Sequence, residues 1–97
     1  MKEYRDASNR LSIDLSNLDT DSLFQKFADQ IITEFSGIVT EKLDGLDQRY
    51  WDFDVDGATL VLHADPMVGI SIHIEDGTND NLLRKIAKTL LTNEKTS

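Results

Sequence analysis

A run of alternating aspartates from Asp52 to Asp56, followed by Gly57, has the D-x-D-x-D-G spacing that opens an EF-hand calcium loop. Such a loop takes oxygen ligands from its first, third and fifth positions and a bidentate glutamate from its twelfth. The twelfth position here is His63, and the run is flanked by residues with the pattern of strands rather than helices. Because alternating aspartates of a strand line one face and do not curl around an ion, the spacing does not predict a calcium site.

The chain has two histidines, His63 and His73, which could also do chemistry. With Asp52 or Glu75 they could hold a metal ion or transfer protons, because residues on one sheet face converge across neighbouring strands. No close ligand spacing such as H-x-x-x-H supports a metal site, and Ser71 on a flat strand face lacks the geometry of a catalytic triad. We therefore favour a non-enzymatic protein without cofactor or metal. The alternative is a metal-dependent or acid/base enzyme that uses His63, His73 and Asp52.

The composition is that of a globular domain. The chain has 97 residues, of which 39% are hydrophobic and 29% charged, so one core can form without disulfides or a structural metal. It contains no cysteine, which excludes thiolate catalysis and Cys-ligated zinc. Because no apolar run has the length of a membrane span or the character of a signal peptide, we expect a cytoplasmic protein. We predict one domain over residues 1–97, with the polar segments 1–9 and 93–97 flexible.

The charge is strongly acidic and unevenly distributed. The formal net charge is −8, which repels the phosphates of nucleic acids and of anionic membranes. No lysine or arginine lies between Tyr50 and Leu83, whereas seven acidic residues fall within that interval. We therefore expect no nucleic acid and no membrane as a partner, and we favour a basic protein.

The stretch from Tyr50 to Glu75 predicts three antiparallel strands. Its first turn is the dipeptide Asp56-Gly57, a strong signal for a two-residue hairpin loop. That turn pairs apolar residues with each other on one face: Val55 with Ala58, Phe53 with Leu60, and Trp51 with Leu62. The other face pairs Asp54 with Thr59, Asp52 with Val61, and Tyr50 with His63. Because turn chemistry and hydrophobic alternation indicate the same register, we expect Trp51 in the core.

The segment before the hairpin predicts one strand and one helix. Residues 11–16 alternate apolar and polar, as expected of a half-buried strand. Thr20 or Asp19 can then cap a helix whose apolar residues recur at three- and four-residue steps as far as Phe35. This helix begins after the cap and has one broad apolar face.

The end of that helix can be read in two ways. We predict that Gly37 takes the left-handed conformation that ends a helix, so that residues 38–43 form a second strand. The alternative is that the apolar stripe continues as helix to a terminator at Gly45. A final helix follows the turn at 76–80, with a buried side made of Leu82, Leu83, Ile86, Ala87, Leu90 and Leu91.

These elements predict an α+β fold in two layers. We expect a mainly antiparallel sheet of four to five strands with two helices on one face, in the order β-α-β-β-β-β-α. The other sheet face would meet solvent and offer charge steering together with aromatic and apolar contact, which suits a protein interface. The partner-binding residues predicted on this face are Tyr50, Asp52, Asp54, Val61, His63, Ser71, His73 and Glu75.

The run RYWDFDVDGATLVLH followed by VGISIHI resembles small bacterial α+β proteins, mostly uncharacterised, that share this strand-and-turn pattern. They are of the general type that includes toxin-immunity proteins. The resemblance implies a non-enzymatic immunity or inhibitor protein whose acidic sheet face binds a basic partner such as a toxin, and it carries over no functional residues. A homodimer formed by packing two sheets together stays open.

Overall fold

The computed structural model describes the backbone of residues 2–96 and the side chains of residues 2–92. The strands are β1 (Lys2–Arg5), β2 (Leu11–Ser16), β3 (Ile38–Asp44), β4 (Arg49–Val55), β5 (Ala58–Asp65) and β6 (Gly69–Ile74), and the helices are α1 (Asp21–Phe35) and α2 (Asp80–Thr96). The α+β class is confirmed. Within the described residues, neither α1 nor α2 combines the length and the hydropathy of a membrane-spanning helix.

The strands form one six-stranded sheet in the order β1-β2-β6-β5-β4-β3, and every neighbouring pair is antiparallel. The prediction of four to five strands is therefore wrong by one strand, β1, which lies within the segment 1–9 that we expected to be flexible. This strand lacks the alternation of apolar and polar residues that would have predicted it. It is held by backbone pairing to β2 and by ion pairs to α2. Glu3 and Arg5 point toward the helix layer, where they meet Arg84 and Asp80.

Helix α1 begins as predicted, but the residue in the left-handed conformation at its C-terminal end lies one position before Gly37. The Oγ1 atom of Thr20 accepts a hydrogen bond from the backbone N–H of Leu23, so Thr20 is the N-cap. At the other end Ser36, with φ of 54°, takes the left-handed conformation that we assigned to Gly37. Gly37 is needed for space instead, because a Cβ atom there would lie 2.8 Å from Cγ2 of Ile31.

Residues after this helix form β3, so the prediction of a strand is confirmed and a continued helix to Gly45 is not observed. The register of β4 with β5 is also as predicted in every pair. Asp56 and Gly57 both have positive φ, of 52° and 82°, which is the geometry of the tight hairpin turn that the dipeptide favours.

Helix α2 begins after Asn79, whose Oδ1 accepts a hydrogen bond from the N–H of Leu82. Its predicted apolar side faces the core, with Leu83, Ile86, Ala87 and Leu90 buried. We expected a flexible tail at 93–97. The side chains of these residues, and the backbone of residue 97, lie outside the described part of the chain. The backbone of residues 93–96 continues α2.

Both helices pack on the same side of the sheet, here called the inner face. Phe24 and Phe27 of α1 join the apolar face of the hairpin in a single core, and the Trp51 ring meets Phe24 edge-on with ring centroids 5.2 Å apart. Trp51 is only 5% exposed, which confirms its assignment to the core. On the opposite side of the sheet, the outer face, no helix is found among the residues that the structure describes.

Candidate functional site

The outer face carries every residue that the sequence predicted for partner binding. Cross-strand pairing connects them into two rows, one running Leu43, Tyr50, His63, Ser71, Asp14 and the other Glu41, Asp52, Val61, His73, Ser12. Asp54 and Glu75 lie one step further along the hairpin, each beside Thr59. The sheet therefore brings the predicted residues together on one continuous surface.

These residues differ in how much of their surface meets solvent. Asp54 and Glu75 are exposed, while Tyr50, Asp52 and the two histidines are half-buried. Val61 and Ser71, which we expected to be presented to solvent, are only 6% and 3% exposed. They lie on the central strands between larger neighbours, so they form the floor of the face and offer little contact area.

An aromatic stack occupies the middle of the outer face. The rings of Tyr50 and His63 lie 4.2 Å apart between centroids and are nearly parallel, at 8°. The Tyr50 hydroxyl donates a hydrogen bond of 2.7 Å to Oε1 of Gln48, and Nε2 of His63 lies 3.4 Å from the same oxygen. Gln48 thereby holds both rings in place, and its role was not visible in the sequence because it lies in the turn before β4.

The two histidines keep the centre of the face uncharged at neutral pH. Burial lowers the pKa of His63. Burial, reinforced by the charges of Arg10 and of His63, lowers the pKa of His73 to about 4. The histidines are diagonal neighbours rather than a facing pair, because His63 lies opposite Ser71 and His73 lies opposite Val61.

Four carboxylates, Glu41, Asp52, Asp54 and Glu75, lie on the part of the outer face formed by β3 to β6, and we call them the acidic patch. Among the described residues none of them has a lysine or arginine ion-pair partner. Desolvation, with the nearby charges of Glu75 and Glu41, raises the pKa of Asp52. The patch is therefore acidic, and Arg10 borders it, with Nη1 donating a hydrogen bond of 3.1 Å to the backbone oxygen of Glu75.

Glu41 is the member of the acidic patch that the sequence did not predict. A regular ladder that starts from the pair Ile38–Asp54 would place Thr40 opposite Asp52. A bulge between Val39 and Glu41 shifts the register, so that Glu41 faces Asp52 instead. The bulge leaves no signal in the local sequence, because Thr-Glu-Lys alternates acceptably in either register.

The cationic side chains lie mainly on the inner side of the sheet, where they are already paired. Nε of Arg84 is 3.1 Å from Glu3, and Nε of Arg49 is 2.9 Å from Asp44. The Lys42 ammonium lies 4.0 Å from the centroid of the Trp51 ring. These cations therefore have partners on the inner side of the sheet, whereas Lys2 and Arg10 lie at the outer face beside Asp14 and Glu75.

The described residues contain no cluster of side chains arranged to bind a metal ion. No group of three His, Cys, Asp or Glu side chains there could hold a metal ion. The D-x-D-x-D-G run is a strand and its turn, in which Oδ1 of Asp54 accepts a hydrogen bond of 3.0 Å from the N–H of Gly57. Those aspartates therefore serve the hairpin and the outer face.

A family model described as "Protein of unknown function (DUF3630)" matches residues 1–90. The chain belongs to the DUF3630 family. No curated protein and no solved structure matches it. The matched range of this DUF3630 protein contains all six strands, so the whole outer face lies within the family's domain.

Proposed function

We propose that this DUF3630 protein is a non-enzymatic protein-binding domain, of the immunity or inhibitor type, whose outer face binds a basic surface of another protein. The observation that carries the proposal is the acidic patch: four carboxylates without a cationic partner among the described residues, on a sheet face that no helix covers. A basic partner would complete the ion pairs that the fold leaves open.

The layout of the face suits such docking. Long-range attraction between the acidic patch and a basic partner would raise the rate of encounter and orient the approach. The stack of Tyr50 on His63 beside the patch is neutral and hydrogen-bonded to Gln48, so it can be covered without the cost of desolvating a charge. A charged side with an uncharged aromatic centre is the common anatomy of a specific interface.

The cost of the patch to the fold also supports the proposal. Like charges directly opposite each other on neighbouring strands are destabilising, and Glu41 and Asp52 form such a pair. A local arrangement that opposes stability is expected where function requires it. A cation of a basic partner placed beside both carboxylates would offset this repulsion in the complex.

The test begins with a tagged full-length protein used to capture partners from extracts of its native organism, followed by measurement of Kd on the purified partner. We expect a basic partner, binding weakened at least tenfold by Asp52→Lys or Asp54→Lys, and weaker binding at higher salt. The matched control is Glu34→Lys, which makes the same change in charge at an exposed position of α1 and should alter Kd less than twofold.

Two results would contradict the proposal. One is binding that is insensitive both to salt and to the two charge reversals. The other is a mass in light scattering that corresponds to a homodimer whose formation hides the outer face from any partner. In that case the face would pack against its own copy.

A further inference from the structure

A small cavity opens at the β2 end of the outer face, where the loop after β2 meets the loop between β5 and β6. Its volume is about 230 Å³, and it is lined by Lys2, Asp14, Leu15, Ser16, Asn17 and Val68. One water occupies roughly 30 Å³ in the liquid, so the cavity can hold a group of several heavy atoms.

The carboxylate in this cavity lacks a good donor. Oδ1 of Asp14 is buried and has no hydrogen-bond partner among the described residues. Oδ2 has Lys2 as its ion-pair partner, with Nζ at 3.9 Å, which is beyond hydrogen-bond length. The Asp14 side chain is 15% exposed whereas that of Lys2 is 81% exposed, so the pair joins a fixed anion to a cation that can move away.

The walls of the cavity are held by a close approach of the two loops. Gly69 has φ of 104°, and a Cβ atom there would lie 2.0 Å from the carbonyl oxygen of Ser16. The pairing of β2 with β6 shifts register between Asp14 and Ser16, so a bulge lies in the strand segment that lines the cavity. Val68 beside it is 46% exposed and supplies an apolar wall.

The cavity lies on the same surface as the proposed docking face. Asp14 pairs with Ser71, which pairs with His63, which pairs with Tyr50. Three strand spacings separate Asp14 from Tyr50, which is about 14 Å. One partner that covers the aromatic stack would therefore reach the cavity as well.

We infer that this cavity receives one lysine side chain of the basic partner, with the methylene groups against Val68 and the ammonium on Asp14 in place of Lys2. The inference rests on the proposed function, since it names an anchor point for the same partner. A lysine is favoured over an arginine because a guanidinium binds best through two open carboxylate oxygens, and Oδ1 of Asp14 is buried.

The test uses n-butylammonium as a probe of the lysine side chain, so it needs no partner. We expect a titration of the ¹⁵N-labelled full chain to give saturable amide shifts at Ser16, Asn17 and Val68. Asp14→Asn, which keeps the size of the side chain, should abolish them. The neutral analogue n-butanol, and sodium chloride at the same ionic strength, should produce no saturable shifts at these residues.

Lys2 provides a second, independent readout. Lys2→Ala should tighten n-butylammonium binding at least twofold relative to Lys85→Ala. The second variant is a matched control, because it removes the same charge from an exposed position of α2. Equal affinity in these two variants, or shifts that persist in Asp14→Asn, would overturn the assignment. Tighter binding of n-butylguanidinium than of n-butylammonium would overturn the choice of lysine.

This experiment can fail separately from that of the proposed function. Loss of partner binding in Asp52→Lys without any n-butylammonium shift would keep the docking face and overturn the cavity. Saturable n-butylammonium shifts, together with a partner Kd that Asp52→Lys and Asp54→Lys leave unchanged, would support the cavity site and contradict the docking face.

Discussion

Replacement of Asp52 by asparagine is expected to stabilise the protein at neutral pH, because it removes a carboxylate that the folded state repels. Asp52 faces Glu41 across the strand pair, and Glu75, just after β6, also acts on it. Desolvation and these charges raise the pKa of Asp52 in the folded state. The asparagine side chain would keep the shape of the aspartate and leave the hydrogen-bonded ladder in place.

The size of the effect follows from the geometry. A like-charge pair directly opposite on neighbouring strands costs about 0.2 to 1 kcal/mol, and the carboxylate at Asp52 is also partly desolvated. We take the sum as about 1 kcal/mol, which in a domain of 97 residues raises Tm by about 4 to 8 °C.

The pH dependence has a defined sign. A raised pKa means that the folded state holds the Asp52 proton more tightly than the unfolded state, so stability decreases as pH rises through that raised value. The gain from Asp52→Asn should therefore be complete at pH 7 and vanish below about pH 4. In about 1 M salt, where the screening length is about 3 Å, the Coulombic part should shrink.

The assay is thermal unfolding by circular dichroism at pH 7 in low salt, repeated at pH 3.5 and in high salt. Asp47→Asn is the control, since it removes the same charge from an exposed turn away from the acidic patch. A Tm that is unchanged or lower in Asp52→Asn, or an equal rise in Asp47→Asn, would contradict a repulsive role for the Asp52 carboxylate.

Two further predictions concern α1 and the Trp51 environment. Gly37→Ala should lower the free energy of unfolding, measured by urea denaturation, by about 1 to 3 kcal/mol, because the added Cβ atom would lie too close to Ile31. Ser36→Gly, at the left-handed position, should change it by less than about 1 kcal/mol. Equal effects of the two substitutions would contradict this explanation of the helix end. Hydrogen bonds from Trp51 and then Arg49 lower the pKa of Asp44, so the stabilisation present at neutral pH should be lost as pH falls below the ordinary aspartate value. We expect acid to change Trp51 fluorescence in the folded protein and Asp44→Asn to remove that transition; an unchanged titration in this variant would count against it.

Local patterns predicted much of the hairpin region. Asp56-Gly57 admits a tight turn, and the alternation of Trp51, Phe53 and Val55 gives only one register that buries the apolar set. The start of α1 was equally accessible, because the Thr20 hydroxyl acts on a backbone group three residues away. Such interactions span few residues, so their partners can be read directly from neighbouring positions.

β1 could not be predicted in this way. Its inward side chains meet partners far along the chain: Arg5 bonds Asp80, 75 residues away, and Glu3 bonds Arg84, 81 residues away. A strand held by long-range ion pairs and by the edge of β2 has no hydrophobic period to detect. Glu3 and Arg5 gain these partners only when α2 packs over the sheet.

The candidate site divides along the same line. The two-residue pleat and the hairpin turn place Tyr50, Asp52, Asp54 and His63 on one face, and both can be read from the sequence. That Glu41 faces Asp52 through a bulge, and that Asp14 lies at a cavity between two loops, became visible only in the folded chain. Registers between strands distant in sequence depend on how the whole sheet closes over the core, and no local pattern encodes that.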